Sequence, residues 1–359
     1  MNILYILPSY NIYGGTPKKT LDFLKYFKEN SSLYVYSNEY IELKHYFEET
    51  KANIYEGNYK KNIYLHIKSL LKIIDENKID IVQTQFTMGE LLGGLIKILR
   101  PNIKLIIAFV GSLSPKGIKN ILVSKIYTYP DAFIYISNYV KNEKIKAFPK
   151  LSNKNNFTIY NGTDIINNNE HYNDIKNLNI KSPSILSIAG LTEIKNIDVL
   201  IDAVEIIIKK DKKVYLYIAG DGPRKEYLLE KIKDKKLEEY IFLLGYRKDT
   251  KELLANTNLF VHSCNIEGFG IAVIEAMILE KPIIVSNAGA LPELIDNNKS
   301  GLIVDPFNKN EWASAIISLL ENPTKANKFA TEAKKKAEKE FSINSYINNY
   351  KSLYEKLKA

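Results

Sequence analysis

The 359-residue chain has little cysteine, few histidines and no long apolar run. Its single cysteine, Cys264, excludes an internal disulfide and leads us to expect a reducing compartment. No apolar stretch approaches the roughly 20 residues that span a bilayer. Met1 leads straight into the strand-like segment 3–7 without a leader pattern, so the expected location is cytoplasmic. The four histidines, His45, His66, His171 and His262, show no metal-ligand spacing, and no metal is expected. No G-x-G-x-x-G follows the first strand, which excludes a dinucleotide fingerprint. The pI of 9.1 has no motif behind it that would make nucleic acid a partner.

What is present is enough apolar residue, 45%, for more than one core, and the length favours two domains. Charge is uneven: the first 165 residues carry 22 Lys+Arg against 14 Asp+Glu, which is +8 of the overall +9. A basic first half could meet an anionic membrane surface or a phosphorylated acceptor, at about 1 kcal/mol per basic residue near the surface. An abundance of Asn, Lys, Ile and Tyr explains the same charge without function.

Strand and helix patterns alternate along the chain. After 3–7, Gly14-Gly15-Thr16-Pro17 reads as a turn with Thr16 as N-cap and Pro17 as the first helical residue. Strands are expected at 33–36, 79–83, 104–110 and 132–136, with helices at 63–77 and 90–99. Such alternation implies a parallel sheet covered on both faces, with ligands beyond the carboxyl ends of its strands. Gly14, Gly15, Gly111, Ser112 and Ser137 then share one rim. A polar stretch without period, from 166 to about Pro183, is the candidate linker. A second alternation follows: strands at 184–189, 213–219, 241–244, 259–263, 282–286 and 301–304, and helices at 197–209, 225–235, 250–255, 311–320 and 323–341. The expected class is α/β, two doubly wound Rossmann-like domains at 1–165 and 183–341, with a helix at 342–359 crossing back to the first domain.

The most informative stretch is 259–280, a strand, a glycine turn at Glu267-Gly268-Phe269-Gly270, and a helix carrying Ile271 and Glu275. The glycines let the backbone pass close to a ligand, and the free N–H groups of the helix make an anion site near Gly270. A carboxylate in so apolar a helix needs donors, which polyol hydroxyls would supply. Alone, the stretch could equally be the turn of any α/β protein.

Taken with its neighbours, it resembles glycosyltransferase family 4, the retaining nucleotide-sugar enzymes of GT-B fold. Glu267 and Glu275 have that family's E-x7-E spacing. Gly190 through Glu193-Ile194-Lys195-Asn196 is similar to its diphosphate segment, and Gly220-Asp221-Gly222-Pro223 to its donor-side loop. Gly245 is similar to the loop under the base; Gly289, Pro292-Glu293-Leu294-Ile295 and Gly301-Leu302-Ile303-Val304 continue the pattern. In the first domain Gly14-Gly15, Ser137 and Asn161-Gly162-Thr163-Asp164 fit it.

The resemblance implies a donor site of Gly190, Gly222, Gly245, Gly268, Phe269, Gly270, Ile271 and Glu275. Glu267 would bond the sugar's hydroxyls, Glu275 the ribose, and Lys195 the departing diphosphate. Gly14, Gly15, Val110, Gly111 and Ser137 would line the acceptor side. Two positions depart from the pattern. Leu191 stands where an arginine often follows the first glycine, which throws the load onto Lys195, with Arg224 or Arg247 as helpers. Val110 stands where histidine usually precedes the glycine, near the sugar's sixth carbon, which suggests a 6-deoxy donor. Another group serving the hydroxyl is the plainer account.

The implied activity is retaining transfer of a sugar from a nucleotide diphosphate, UDP ahead of GDP, to a hydroxyl of a glycan or lipid-linked acceptor in surface polysaccharide or glycolipid assembly. No cofactor and no metal are expected. Peripheral attachment to the inner face of the membrane would use the basic first domain. The alternative is a GT-B partner or regulatory subunit that binds without transferring, motivated by Val110 and Leu191.

Overall fold

A computed structural model of the chain describes residues 1–11, 15–27, 30–37, 39–60, 62–115, 117–163 and 179–358. Internal contacts divide it into two units, Met1–Asn161 with Tyr346–Ala359, and Gly162–Ser345. Gly14, Asp164 and the linker candidate up to residue 178 lie outside the described residues.

The first unit is built on seven parallel strands: β1 (Ile3–Leu7), β2 (Ser31–Val35), β3 (Asn53–Glu56), β4 (Ile81–Thr84), β5 (Lys104–Phe109), β6 (Ala132–Tyr135) and β7 (Asn156–Thr158), in the order β3-β2-β1-β4-β5-β6-β7. Ile3 pairs with Ser31 on one side and Ile81 on the other. Every residue of β1 is buried, as a strand covered on both faces requires. Helix Ile63–Glu76 packs Leu70, Ile73 and Ile74 against Leu4, Ile6 and Val82.

Helix Ile343–Lys358 contributes Tyr346, Tyr350 and Tyr354 to this unit's core, all nearly fully buried. The Tyr354 ring lies edge-on to Phe23 and Phe27, its hydroxyl shares a 2.7 Å bond with that of Tyr5, and it donates to Gln83 Oε1 at 2.8 Å. Burying three tyrosines needs such partners for their hydroxyls.

The second unit holds six parallel strands: β8 (Ser184–Ile188), β9 (Tyr215–Ala219), β10 (Ile241–Gly245), β11 (Leu259–His262), β12 (Ile283–Ser286) and β13 (Leu302–Val304), in the order β10-β9-β8-β11-β12-β13. Ile185 pairs with Leu216 of β9 and Leu259 of β11. Helix Ile197–Ile208 and helix Lys309–Leu320 cover one face, where Trp312 is fully buried and donates to Asp305 O at 3.0 Å.

Several described elements go beyond the expected set, among them the edge strands β3 and β7. β3 is a four-residue edge strand, exposed at both ends, whose one strand partner among the described residues is β2. Helices Ile118–Ile126 and Asn138–Ala147 fill the crossovers after β5 and β6. The helix expected at 90–99 begins at Phe86, and the first helix begins at Gly15, so Thr16 and Pro17 both lie inside it. The start at Phe86 lies four residues ahead of its expected position, beyond the residue or two by which helix ends ordinarily vary.

Candidate functional site

In an open parallel sheet, a crevice forms where the chain order reverses, between two neighbouring strands whose connections leave in opposite directions. In the second unit that place is between β8 and β11. The segment leaving β8 carries Gly190, exposed, then a one-turn 3-10 helix, Glu193–Lys195. Asn196, left-handed at φ 48°, turns the chain into helix Ile197–Ile208. The segment leaving β11 carries Ser263, Cys264 and Glu267, and Gly270, at φ 104°, starts helix Ile271–Ile278.

Ser263 ties the two segments, its hydroxyl lying within hydrogen-bond reach of the carbonyls of Lys195 (3.0 Å) and Asn196 (3.1 Å). Asn265 N donates to Ile194 O at 2.8 Å. Lys195 and Glu267, 72 positions apart, therefore meet: Lys195 Nζ donates to Glu267 Oε2 at 2.7 Å, with side chains 22% and 15% exposed.

The same oxygen lies 3.0 Å from His262 Nε2 and 3.5 Å from Cys264 Sγ, and that sulfur lies 2.9 Å from His262 Nε2. His262 and Cys264 are buried, and His262 Nδ1 has no partner among the described residues. Burial alone would push the Glu267 carboxyl up. The His262 hydrogen bond and the Lys195 and His262 charges override it and hold the group far below the usual carboxylate range. His262 is the mirror case: burial opposes its charge, but Cys264 and Glu267 push it up to about 9. Burial likewise lowers Lys195, and Glu267 and Cys264 raise it above its ordinary value.

Histidine spacing in the sequence gave no sign of this group. His262 is the last residue of β11, and the signal was its position five residues ahead of Glu267, at a strand end facing a switch point. His262, Cys264 and Glu267 place N, S and O donors within 4.8 Å of one another. These are metal-ligand types, but here they bond to one another. An ammonium 2.7 Å from the shared oxygen would also repel a cation there.

The other expected donor residues lie in the same unit, at or after the ends of β8, β9, β10 and β11. Gly222 lies against the Leu191 backbone, where a Cβ would come within 2.6 Å of Leu191 O. Gly245 ends β10, and its carbonyl accepts from Gly220 N at 2.8 Å. Phe269 is buried, its ring edge-on to Phe341, and its N–H points to Glu267 Oε1 at 3.5 Å. Gly268 lies between Glu267 and Phe269, half-buried, and Ile271 opens the helix after Gly270. Glu275 is the fifth residue of that helix and half-buried. Gly289 is pressed against Glu267 so closely that a Cβ would sit 2.2 Å from Glu267 O, and Ala290 N donates to that carbonyl at 2.9 Å.

Leu191 is 1% exposed and part of the core. Both arginines named as helpers are ion-paired: Arg224 with Asp198 at 2.9 Å, while stacked on Tyr227, and Arg247 with Asp249 through Nε at 2.7 Å.

In the first unit, Gly15, Val110, Gly111 and Ser137 follow β1, β5 and β6 at the carboxyl edge of that sheet. Ser137 caps helix Asn138–Ala147, accepting from Val140 N at 3.1 Å. Lys144 of that helix, buried, donates to Leu113 O and lies 5.1 Å from the Phe109 ring centre, fastening the segment that carries Val110 and Gly111.

Residues 168–336 match the family Glycosyl transferases group 1. Lys195, Glu267 and Glu275 all fall inside the group 1 match. Over 213 residues the chain is 31% identical to the poly(ribitol-phosphate) alpha-N-acetylglucosaminyltransferase of Staphylococcus aureus (strain COL), covering 59% of this chain and 42% of that protein. It is 34% identical over 142 residues to an O-antigen biosynthesis glycosyltransferase, WclY, of Escherichia coli, covering 38% of this chain and 39% of the relative. An uncharacterized glycosyltransferase of Methanocaldococcus jannaschii is 26% identical over 333 residues, 84% of this chain and 88% of its own. The chain thus spans about two fifths of the first two relatives and most of the third. Among solved structures, Anabaena HepE in complex with UDP and glucose superposes with a TM-score of 0.84 at 19% identity, covering 99% of this chain and 100% of that one. The lipopolysaccharide outer core galactosyltransferase WaaB superposes at 0.76 with 16% identity, over 99% and 100%. The two parallel-sheet units are those of the GT-B fold.

Proposed function

We propose that the chain is a retaining glycosyltransferase of the family 4 kind, moving a sugar from a nucleotide diphosphate to a hydroxyl of a glycan or lipid-linked acceptor. The observation that carries this reading is the meeting of Lys195 and Glu267 beyond β8 and β11, at the switch point of a group 1 domain. Lys195 supplies a mobile positive charge for the departing diphosphate, and Glu267, ionised and half-buried, accepts from sugar hydroxyls. Glu275 accepts from the ribose. The bond from the anomeric carbon to phosphate breaks as the acceptor oxygen bonds that carbon on the same face. The departing phosphate oxygen takes the acceptor's proton, so the route calls for no separate base and no metal.

UDP is the favoured nucleotide, supported by the UDP held in the HepE structure. Relatives named for poly(ribitol-phosphate) and for a diphospho-undecaprenol-linked sugar support a surface-glycan or lipid-linked acceptor. The second unit would bind the donor and the first the acceptor, with the basic charge of residues 1–165 available to an anionic membrane face in the cytoplasm. No described helix is long and apolar enough to cross a membrane. An apolar Val110 on the acceptor side fits a 6-deoxy sugar, which predicts faster turnover of such a donor than of its 6-hydroxy analogue.

The test is a thermal-shift panel of UDP, GDP, CDP and ADP with their sugars, followed by release of nucleotide diphosphate with and without acceptor. A ligand at 100 times its dissociation constant raises stability by about 2.7 kcal/mol. Glu275→Ala is expected to weaken every nucleotide sugar together, and Glu267→Ala chiefly to lower turnover. Equal loss of bare nucleotide binding in both variants contradicts these roles.

A further inference from the structure

We infer that Lys195 exchanges partners, from the Glu267 carboxylate in the donor-free protein to the diphosphate of a bound nucleotide, and that His262 is the positioning residue that keeps Glu267 held through the exchange. The inference rests on reading this site as the donor pocket. It starts from one crowded atom: Glu267 Oε2 faces the Lys195 ammonium at 2.7 Å and the His262 ring at 3.0 Å. The two groups are tethered differently. Lys195 ends a long flexible stem on a three-residue turn and keeps 22% of its side chain exposed. His262 belongs to β11, in register with Val285 of β12, and its side chain is 4% exposed. One partner can swing toward an anion, whereas the other moves only with the sheet.

A buried carboxylate that loses its sole partner is strongly unfavourable, so a lysine holding Glu267 alone would resist capture by a diphosphate. A second donor on the same oxygen removes that obstacle. The polar engagement of the ring is confined to this group, since Nε2 meets Glu267 and Cys264 while Nδ1 has no partner among the described residues. Oε1 is engaged among the described residues only by the 3.5 Å contact from Phe269 N, which leaves it for a sugar hydroxyl.

Exchange has a signature that a fixed structural ion pair lacks: deleting the competitor must tighten the ligand. Calorimetric titration with UDP, or with whichever of GDP, CDP and ADP binds, tests it on the full chain. Lys195→Met is expected to weaken binding. Glu267→Gln, by freeing Lys195, is expected to tighten it by about fivefold or more, the low end for coupled sites. The double variant should bind no more tightly than Lys195→Met alone. His262→Leu should weaken binding and lower kcat more than it raises KM; His262→Gln, which keeps a donor, should recover most of both. In the Glu267→Gln background, His262→Leu should leave nucleotide affinity unchanged. A folded Glu267→Gln protein that binds the nucleotide no more tightly than wild type overturns the exchange, as does a His262→Leu effect of equal size with and without Glu267. The wild-type protein gives a check that needs no variant: the His262 Nε2–H proton resonance should persist when nucleotide is added, and its disappearance overturns the holding role. Failure of wild type to bind any of the four nucleotides instead overturns the donor-site reading itself.

Discussion

Replacing Gly289 with alanine should damage stability and turnover together. Gly289 sits beyond β12 at φ +57°, in the left-handed region. A Cβ there would approach Glu267 O to 2.2 Å, Glu267 N to 2.6 Å and Glu267 C to 2.9 Å. All three are backbone atoms, so no flexible side chain can give way. The left-handed conformation costs alanine about 1–2 kcal/mol, and overpacking adds about 1–3 kcal/mol. Together these give a loss of about 2–5 kcal/mol, or roughly 4–20 °C in melting temperature at about 2–4 °C per kcal/mol for a unit of this size. Whatever relaxation relieves the clash must move the Glu267 backbone, and a misplacement of about 1 Å can cost 100-fold in rate. Gly89→Ala is the matched control. It lies within helix Phe86–Leu99, where a Cβ would find only ordinary contacts at 3.6–3.9 Å, and should be neutral or stabilise by up to about 1 kcal/mol. Urea denaturation and nucleotide diphosphate release would be measured on both variants. A Gly289→Ala protein within about 0.5 kcal/mol of wild type and fully active refutes the packing argument.

Two further predictions concern charge. His262 is pushed up to about 9 from 6.5, so its contribution to stability is fully present below pH 6.5 and lost as pH rises through about 9. A rise of that size corresponds to about 3 kcal/mol. The groups facing it are Cys264 and Glu267, with Lys195 on the same carboxylate; comparing wild type with His262→Gln in denaturant titrations from pH 6 to 10 isolates its share, and parallel curves would contradict it. Leu191→Arg, which restores the cation common at that position in the resembling family, should not tighten UDP binding. It would bury an unpaired charge in the core and cost about 3 kcal/mol or more, read as a lower urea midpoint.

Much of the second unit's fold was legible because each step has a local cause. The apolar run of β11, the glycines after it and the apolar helix from Ile271 are signals within one short window. β3 was not legible, because an edge strand of Asn, Ile, Tyr and Glu with one neighbour needs no buried run. Helix Asn138–Ala147 escaped because it buries only Val140 and Lys144 and so shows no apolar stripe. The network around Glu267 escaped for a different reason. Lys195 reaches Glu267 only because β8 and β11 are neighbours, a fact of strand order. Leu191 reads as a missing cation in the sequence; in the fold it is a core residue.

The helix Ile343–Lys358 has a consequence for synthesis on the ribosome. Residues 1–161 emerge first, but the ring face of Tyr5 and Phe23 is covered by Tyr350 and Tyr354, which are made after nearly the whole second unit. At about 5–20 residues per second the wait is about 10–40 s. The later-made unit can close its core first, while the earlier one holds an unfinished aromatic surface, and that interval is when the nascent chain most needs protection from its neighbours.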